Sequence, residues 1–192
     1  MSLRSPGFLC IVVGLAAIQR LLELLHSRRN LARLSSAARS ADPAANWFAM
    51  VALQALWLAG CAAEPLWRGR VAPAPLFWLG LACFASGEAL RTWCILTLGG
   101  AWNARGRVDP SIRIVSRGPY RWIRHPNYLG VLLELVGLPL AGGAWATLGV
   151  ALPLHLVVLL RRMRGEDELL SALPGYGEAM GGKGALVPRF RR

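Results

Sequence analysis

The chain has 192 residues, enough for one soluble domain, but 55% are hydrophobic and only 17% charged, with a mean hydropathy of +0.41, outside ordinary globular composition. A net charge of +12 first suggests nucleic acid, yet the arginines gather at the ends of apolar blocks, as the positive-inside rule arranges them in membrane proteins. Composition therefore argues against a nucleic-acid-binding domain, and against a soluble helical bundle, whose helices would carry polar faces.

The first apolar block, Phe8 to Leu25, predicts a membrane helix. Arg20 and Glu23 interrupt its end and no small-residue cleavage site follows, so it reads as a retained span rather than a signal peptide. His26 to Pro43 is polar and carries Arg28, Arg29, Arg33 and Arg39, which predicts a surface helix or loop that anchors topology. Asn46 to Ala63 is the second span, and Pro65 to Pro75 is an irregular connection punctuated by proline and glycine. Leu76 to Leu98, the third span, contains Glu88 and Arg91 three residues apart, where they could neutralise each other.

Tyr128 to Leu160 is too long for a single crossing of about 20 residues, and Ala141-Gly-Gly-Ala144 supplies a turn that would fold it into a helical hairpin. The expectation is an all-α integral membrane protein of five transmembrane helices. Residues 1–98 would hold three spans with their loops, and residues 99–192 a loop, a hairpin over 127–161 and a polar C-terminal segment. Arginines after the first, third and fifth spans share one side if the N-terminus is outside and the C-terminus cytoplasmic; Arg68 and Arg70 alone oppose this.

Ionisable residues inside spans are candidates for function. Glu134 and His155 lie on the two arms of the hairpin without an evident partner, and Glu134 is a candidate for the wall of a substrate cavity. Cys10, Cys61, Cys83 and Cys94 show no CxxC spacing and there are no clustered histidines, so neither a zinc site nor a disulfide framework is indicated. The cysteines read as packing residues.

The densest signal is RGPYRWIRHPNYLG, from Arg117 to Gly130. Gly118-Pro119 is a turn, and Pro126 both restricts His125 to extended backbone and suits the first position of the next helix. His125 and the amides of that helix start then face one polar pocket, which favours anionic or hydrogen-bond-accepting groups. Tyr120 and Tyr128 add aromatic faces suited to a nucleoside or a sulfonium. An interfacial belt of Trp, Tyr and Arg would use the same residue types without this compact order.

The same stretch resembles the signature of the isoprenylcysteine carboxyl methyltransferase family, related to the phospholipid methyltransferases. Leu98-Gly-Gly-Ala-Trp-Asn103, Arg161 to Leu170, Tyr176-Gly-Glu178 and Leu186-Val-Pro188 extend the likeness. Arg20-x-x-Glu23 with Ser27-Arg-Arg-Asn30 resembles a bacterial branch that methylates alkylpyrones or related polyketide hydroxyls. The resemblance implies S-adenosylmethionine bound on the cytoplasmic side of a bacterial inner membrane, with a lipophilic acceptor arriving from the lipid.

Carried over by position, the resemblance puts Arg105, Ile112, Arg113, Ile114, Val115, Tyr120, His125, Pro126, Asn127, Tyr128 and Glu166 in the cofactor pocket. It assigns catalysis to Arg162 and Glu166, with Arg162, or Arg164 in another register, holding an anionic acceptor oxygen. Arg105 stands where an uncharged polar residue can occur, and Met180 where an aromatic is expected. Methyl transfer to a carboxylate or acidic hydroxyl needs no strong base, whereas a less acidic hydroxyl would call on His125 or Glu134. Two other readings compete. A membrane reductase using a nicotinamide cofactor would need more phosphate-binding positions than are visible, and a transporter would site Glu88, Arg91 and Glu134 along a path.

Overall fold

The computed structural model describes residues 3–41, 44–111 and 113–189, with the side chains of residues 44–46 left out. Six helices follow in order: α1 (Pro6–Leu31), α2 (Ala44–Arg68), α3 (Ala74–Leu98), α4 (Pro126–Gly142), α5 (Trp145–Ser171) and the short α6 (Tyr176–Met180). Two-residue strands β1 (Arg39–Ser40) and β2 (Arg107–Val108) pair antiparallel, Arg39 opposite Val108. Among the described residues, α1, α2, α3 and α5 are long and apolar enough to cross a membrane. α4 has 17 residues, a length of about 26 Å against a bilayer core of about 30 Å.

The surface supports the membrane reading. Ile11, Leu15, Ile18, Leu22 and Leu25 of α1 are more than half exposed at alternating spacings of four and three, an apolar stripe on the outside of the bundle. Such a stripe is costly in water and natural in lipid. The opposite side of α1, with Leu9, Val13 and Ala16, enters a core shared with Trp57, Phe77, Leu135 and Leu138.

The most intimate packing joins α3 to α4. A Cβ on Gly80 would sit 2.4 Å from the Ala141 amide nitrogen, and one on Gly137 2.4 Å from that of Phe84; seven residues along, one on Gly87 would sit 2.7 Å from the Gly130 carbonyl. Two glycines per helix thus let the backbones touch, the membrane solution to packing without a hydrophobic drive. Gly143, φ +62°, ends α4, and Glu64 of α2 caps α5 by accepting from the Ala146 and Thr147 amides at 3.2 and 3.0 Å.

Three boundaries differ from the sequence reading. α1 runs on to Leu31, α2 continues through Pro65 to Arg68, and α5 extends to Ser171. Past Leu160 no proline stands before Pro174, and the Arg162–Glu166 pair at i, i+4 supports the polar turns. The expected Glu88–Arg91 pair is not formed. Arg91 meets Glu23 of α1 and Glu134 of α4 (3.2 Å), while Glu88 meets Arg20 at 2.5 Å, and Arg20 reaches Glu134 at 2.9 Å. The cluster bolts three helices together, because a buried charge demands a partner from whichever helix lies nearest.

Candidate functional site

The loop after α3 is held by the end of α1. Asn30 Nδ2 donates to the Gly99 and Trp102 carbonyls at 3.0 and 2.7 Å, Ser27 Oγ accepts from the Ala104 amide at 2.8 Å, and the His26 ring stacks on Trp102. Asn103 then closes a tight turn, its Oδ1 accepting from the Arg107 amide at 2.8 Å and its Nδ2 donating to the Arg107 carbonyl at 2.9 Å. Gly106 in that turn has φ +61°, and a Cβ there would lie 2.6 Å from Glu166 Oε1 and 2.9 Å from Arg162 Nη2. Beyond it, Asp109 accepts from the amides and hydroxyls of Ser35 and Ser111 at 2.6 to 2.9 Å. Those bonds, the Ser35 and Ser111 amides foremost, hold its carboxyl well below the usual range.

The segment from Gly118 to Pro126 is fixed by the chain's C-terminal stretch. The Arg124 and His125 amides donate to the Gly184 and Ala185 carbonyls, each at 2.9 Å, and Lys183 Nζ donates to the Tyr120 carbonyl at 2.8 Å. Tyr120 is buried against Cys94, Tyr176 and Met180, and burial pushes its phenol well above the ordinary value. His125 caps α4 with Pro126 as first residue. Asp167 can only accept when ionised, so His125 Nε2 donates to it at 2.9 Å, beside Arg124 at 3.2 Å.

These elements close around a cavity of about 520 Å³, within the range of cofactor sites. Its lining includes Arg113, Ile114, Val115, Tyr120, His125, Asn127, Tyr128 and Glu166, residues that the resemblance assigns to a cofactor pocket. Tyr128 donates to Glu166 Oε1 at 2.6 Å, and Arg162 Nε to the same oxygen at 3.2 Å. Arg162 Nη1 lies 3.2 Å from the Met50 sulfur, a weak acceptor for a buried guanidinium. Arg162 is on the wall and Arg164 is exposed.

Other expectations are not met. Arg105 is exposed, its guanidinium 5.5 Å over the Trp47 ring and off the cavity wall; the tight turn directs Gly106 and Arg107 inward instead. Pro126 is buried in the first turn of α4 and off the wall. Ile112 lies outside the described residues. Glu134 does not line the cavity: it is sealed behind Arg20 and Arg91, which do. Residues missed in the sequence are Gly106, Asn103, Arg107, Arg124, Asp167, Tyr176 and Met180. The Asn-x-x-Gly turn and the Tyr176-Gly-Glu178 pattern were the available signals for three of them.

Residues 78–172 match the isoprenylcysteine carboxyl methyltransferase (ICMT) family. That stretch, about half of the chain, carries the family's pattern. The ICMT stretch takes in nearly all of α3, then α4 and α5, and so includes His125, Asn127, Tyr128, Arg162 and Glu166. It stops before Tyr176 and Met180. Two curated proteins resemble the chain over this region. One is the uncharacterised protein YpbQ of Bacillus subtilis, 38% identical over 95 residues, which are 49% of this chain and 56% of that protein. The other is an uncharacterised protein of Haemophilus influenzae, 32% identical over 96 residues, 50% of this chain and 56% of that one. The chain spans a little over half the length of these curated relatives. The ICMT match and the apolar helices together point to an integral membrane protein whose matched half resembles a methyltransferase family.

Proposed function

We propose that the protein transfers a methyl group from S-adenosylmethionine to an anionic oxygen of a lipophilic acceptor. The observation that carries this reading is the single cavity that begins at Tyr120, His125, Asn127 and Glu166, passes Arg162, and continues between apolar residues of α1 and α2 such as Leu21, Leu24, Val51 and Leu58. A polar chamber joined to an apolar one suits a water-soluble donor meeting a membrane-borne acceptor. In the cell the polar end would face the cytoplasm, where the arginine-rich ends of α1 and α5 belong.

The residues at the polar end fit the donor. Asn127 Oδ1 is buried without a hydrogen-bond partner among the described residues and offers an acceptor for the donor's amino or hydroxyl groups. Tyr120, Tyr176 and Met180 supply aromatic and sulfur surface. Glu166, held by Tyr128 and Arg162, offers a second acceptor oxygen of fixed position. Bound there, S-adenosylmethionine would supply an electrophilic methyl group on a sulfonium.

Arg162 orients the acceptor. Its guanidinium, on the cavity wall, offers an anionic oxygen a charge-assisted donor. Of the six arginines on the cavity wall, Arg20, Arg91 and Arg124 are paired with Glu88, Glu134 and Asp167, so Arg107, Arg113 and Arg162, against Asp109 and Glu166, carry the balance that favours an acceptor arriving ionised. A carboxylate or an acidic enol or phenol, as in an alkylpyrone, then needs no base on the protein. With Glu134 sealed away and His125 Nε2 donating to Asp167, none stands ready. Holding nucleophile and methyl carbon in line supplies roughly 7 to 11 kcal/mol of such a barrier.

Titration calorimetry of S-adenosylmethionine into detergent-purified protein tests the reading. Wild type binds; His125→Ala, which releases Asp167 and loosens the start of α4, binds at least about tenfold more weakly. Absence of binding to wild type overturns the proposal.

A further inference from the structure

The apolar half of the cavity contains one polar atom with no use in the scheme above. His155 of α5 lines the cavity and is 5% exposed. Its Nδ1 lies 2.8 Å from the Ala151 carbonyl. A carbonyl only accepts, so Nδ1 carries the proton, and in the neutral ring Nε2 carries none. Nε2 is buried with no hydrogen-bond partner among the described residues. A buried acceptor left unpaired costs about 1 to 3 kcal/mol, and native proteins retain few of them without a reason.

The charged neighbours differ, because although the Nε atoms of Arg20 and Arg91 also make no hydrogen bond among the described residues, their guanidiniums are held in ion pairs. Arg20, Glu23 and Arg91, which also border the cavity, are bound to one another or to Glu88 and Glu134. The remaining uncharged polar group on this part of the wall is Gln54 of α2, set among Met50, Val51 and Ala55. His155 and Arg162 are seven residues apart on one face of α5, about 10 Å along the axis. The cavity thus offers an anion-binding guanidinium at one level and a bare imidazole nitrogen two turns deeper.

We propose that His155 is a specificity residue whose Nε2 accepts a hydrogen bond from a hydroxyl of the acceptor, about 10 Å from the oxygen that is methylated. This rests on the reading of the cavity as the acceptor site. It names the acceptor class as a hydroxylated lipophile rather than one with a pure hydrocarbon tail. The nitrogen is sheltered by its apolar neighbours, so the hydroxyl reaches it after a small shift of the ring or of the wall. A hydroxyl also accepts, which suits the Gln54 amide.

The test uses two probes of matched length, decanoate and 10-hydroxydecanoate, binding to the purified full chain with and without S-adenosylmethionine. Wild type is expected to prefer the hydroxylated probe about three- to tenfold, the worth of one neutral hydrogen bond. His155→Leu abolishes the preference while leaving decanoate affinity and the melting temperature near wild type; His155→Gln, whose side-chain carbonyl can accept the same hydroxyl, keeps part of it. Equal affinities in wild type, a preference that survives His155→Leu, or binding of neither probe overturns the inference; in all three, S-adenosylmethionine binding measured alone reports separately on the methyltransferase reading.

Discussion

Tyr128 and Glu166 are joined at 2.6 Å, hydroxyl to carboxylate, across the gap between the first turn of α4 and the polar turns of α5. The same carboxylate oxygen receives Arg162 Nε, so one bond fixes both the proposed donor contact and the proposed acceptor contact. Tyr128→Phe is expected to lose about 1.5 to 3 kcal/mol, the worth of a hydrogen bond to a charged group. The loss should appear chiefly in kcat, because the ring still fills its place while Glu166 and Arg162 lose their alignment. A variant with wild-type kcat for a methylated acceptor would contradict this.

Gly106 abuts Arg162 and Glu166 through its backbone and has φ +61°. Gly106→Ala brings a methyl group against both side chains and strains the turn. It is expected to weaken S-adenosylmethionine binding more than tenfold with only a small drop in melting temperature, since the turn is outside the helical core. Gly149, whose added Cβ would meet nothing within 4 Å, serves as control, and Gly149→Ala should bind as wild type does. Equal binding by the two variants would count against the turn as part of the site.

Arg91 neutralises Glu23 and Glu134 from two other helices. Arg91→Met leaves those carboxylates short of a partner within the bundle and is expected to cost about 3 to 5 kcal/mol. Thermal unfolding in detergent measures it. Arg91→Met with Glu134→Gln should recover part of the loss, and additive losses would contradict the coupling.

Asp109 holds the loop through four hydrogen bonds from Ser35 and Ser111. Its folded carboxyl titrates below the unfolded value of about 4, so its stabilisation is complete above that pH and lost as pH falls through the lower folded value. Asp109→Asn is expected to lower the melting temperature by the same amount from pH 8 to about pH 5. The gap should close only in more acid solution. A gap that varied between pH 5 and 8 would contradict the assignment.

Apolar blocks and proline signals were legible because each is local: a stretch near bilayer length, or His125-Pro126 opening α4, needs no knowledge of the rest of the chain. The Arg162–Glu166 spacing was legible for the same reason. Partners across helices were not. Glu88 and Arg91 share a face of α3, yet each prefers a charge from another helix, and nothing in their spacing reports that α1 brings Arg20 and Glu23 alongside. Glu134 read as a cavity residue because its neighbours in the chain are apolar, whereas two guanidiniums shield it. Asp167, adjacent to Glu166, was invisible because its role depends on where His125 lies.

The glycine contacts between α3 and α4 leave no side-chain layer that could slide or repack. Those two helices therefore behave as a single rigid plank, to which the charge cluster fastens α1, and any breathing that admits an oily guest falls to α2. A bilayer that squeezes that helix would throttle the proposed methyl transfer without touching its chemistry.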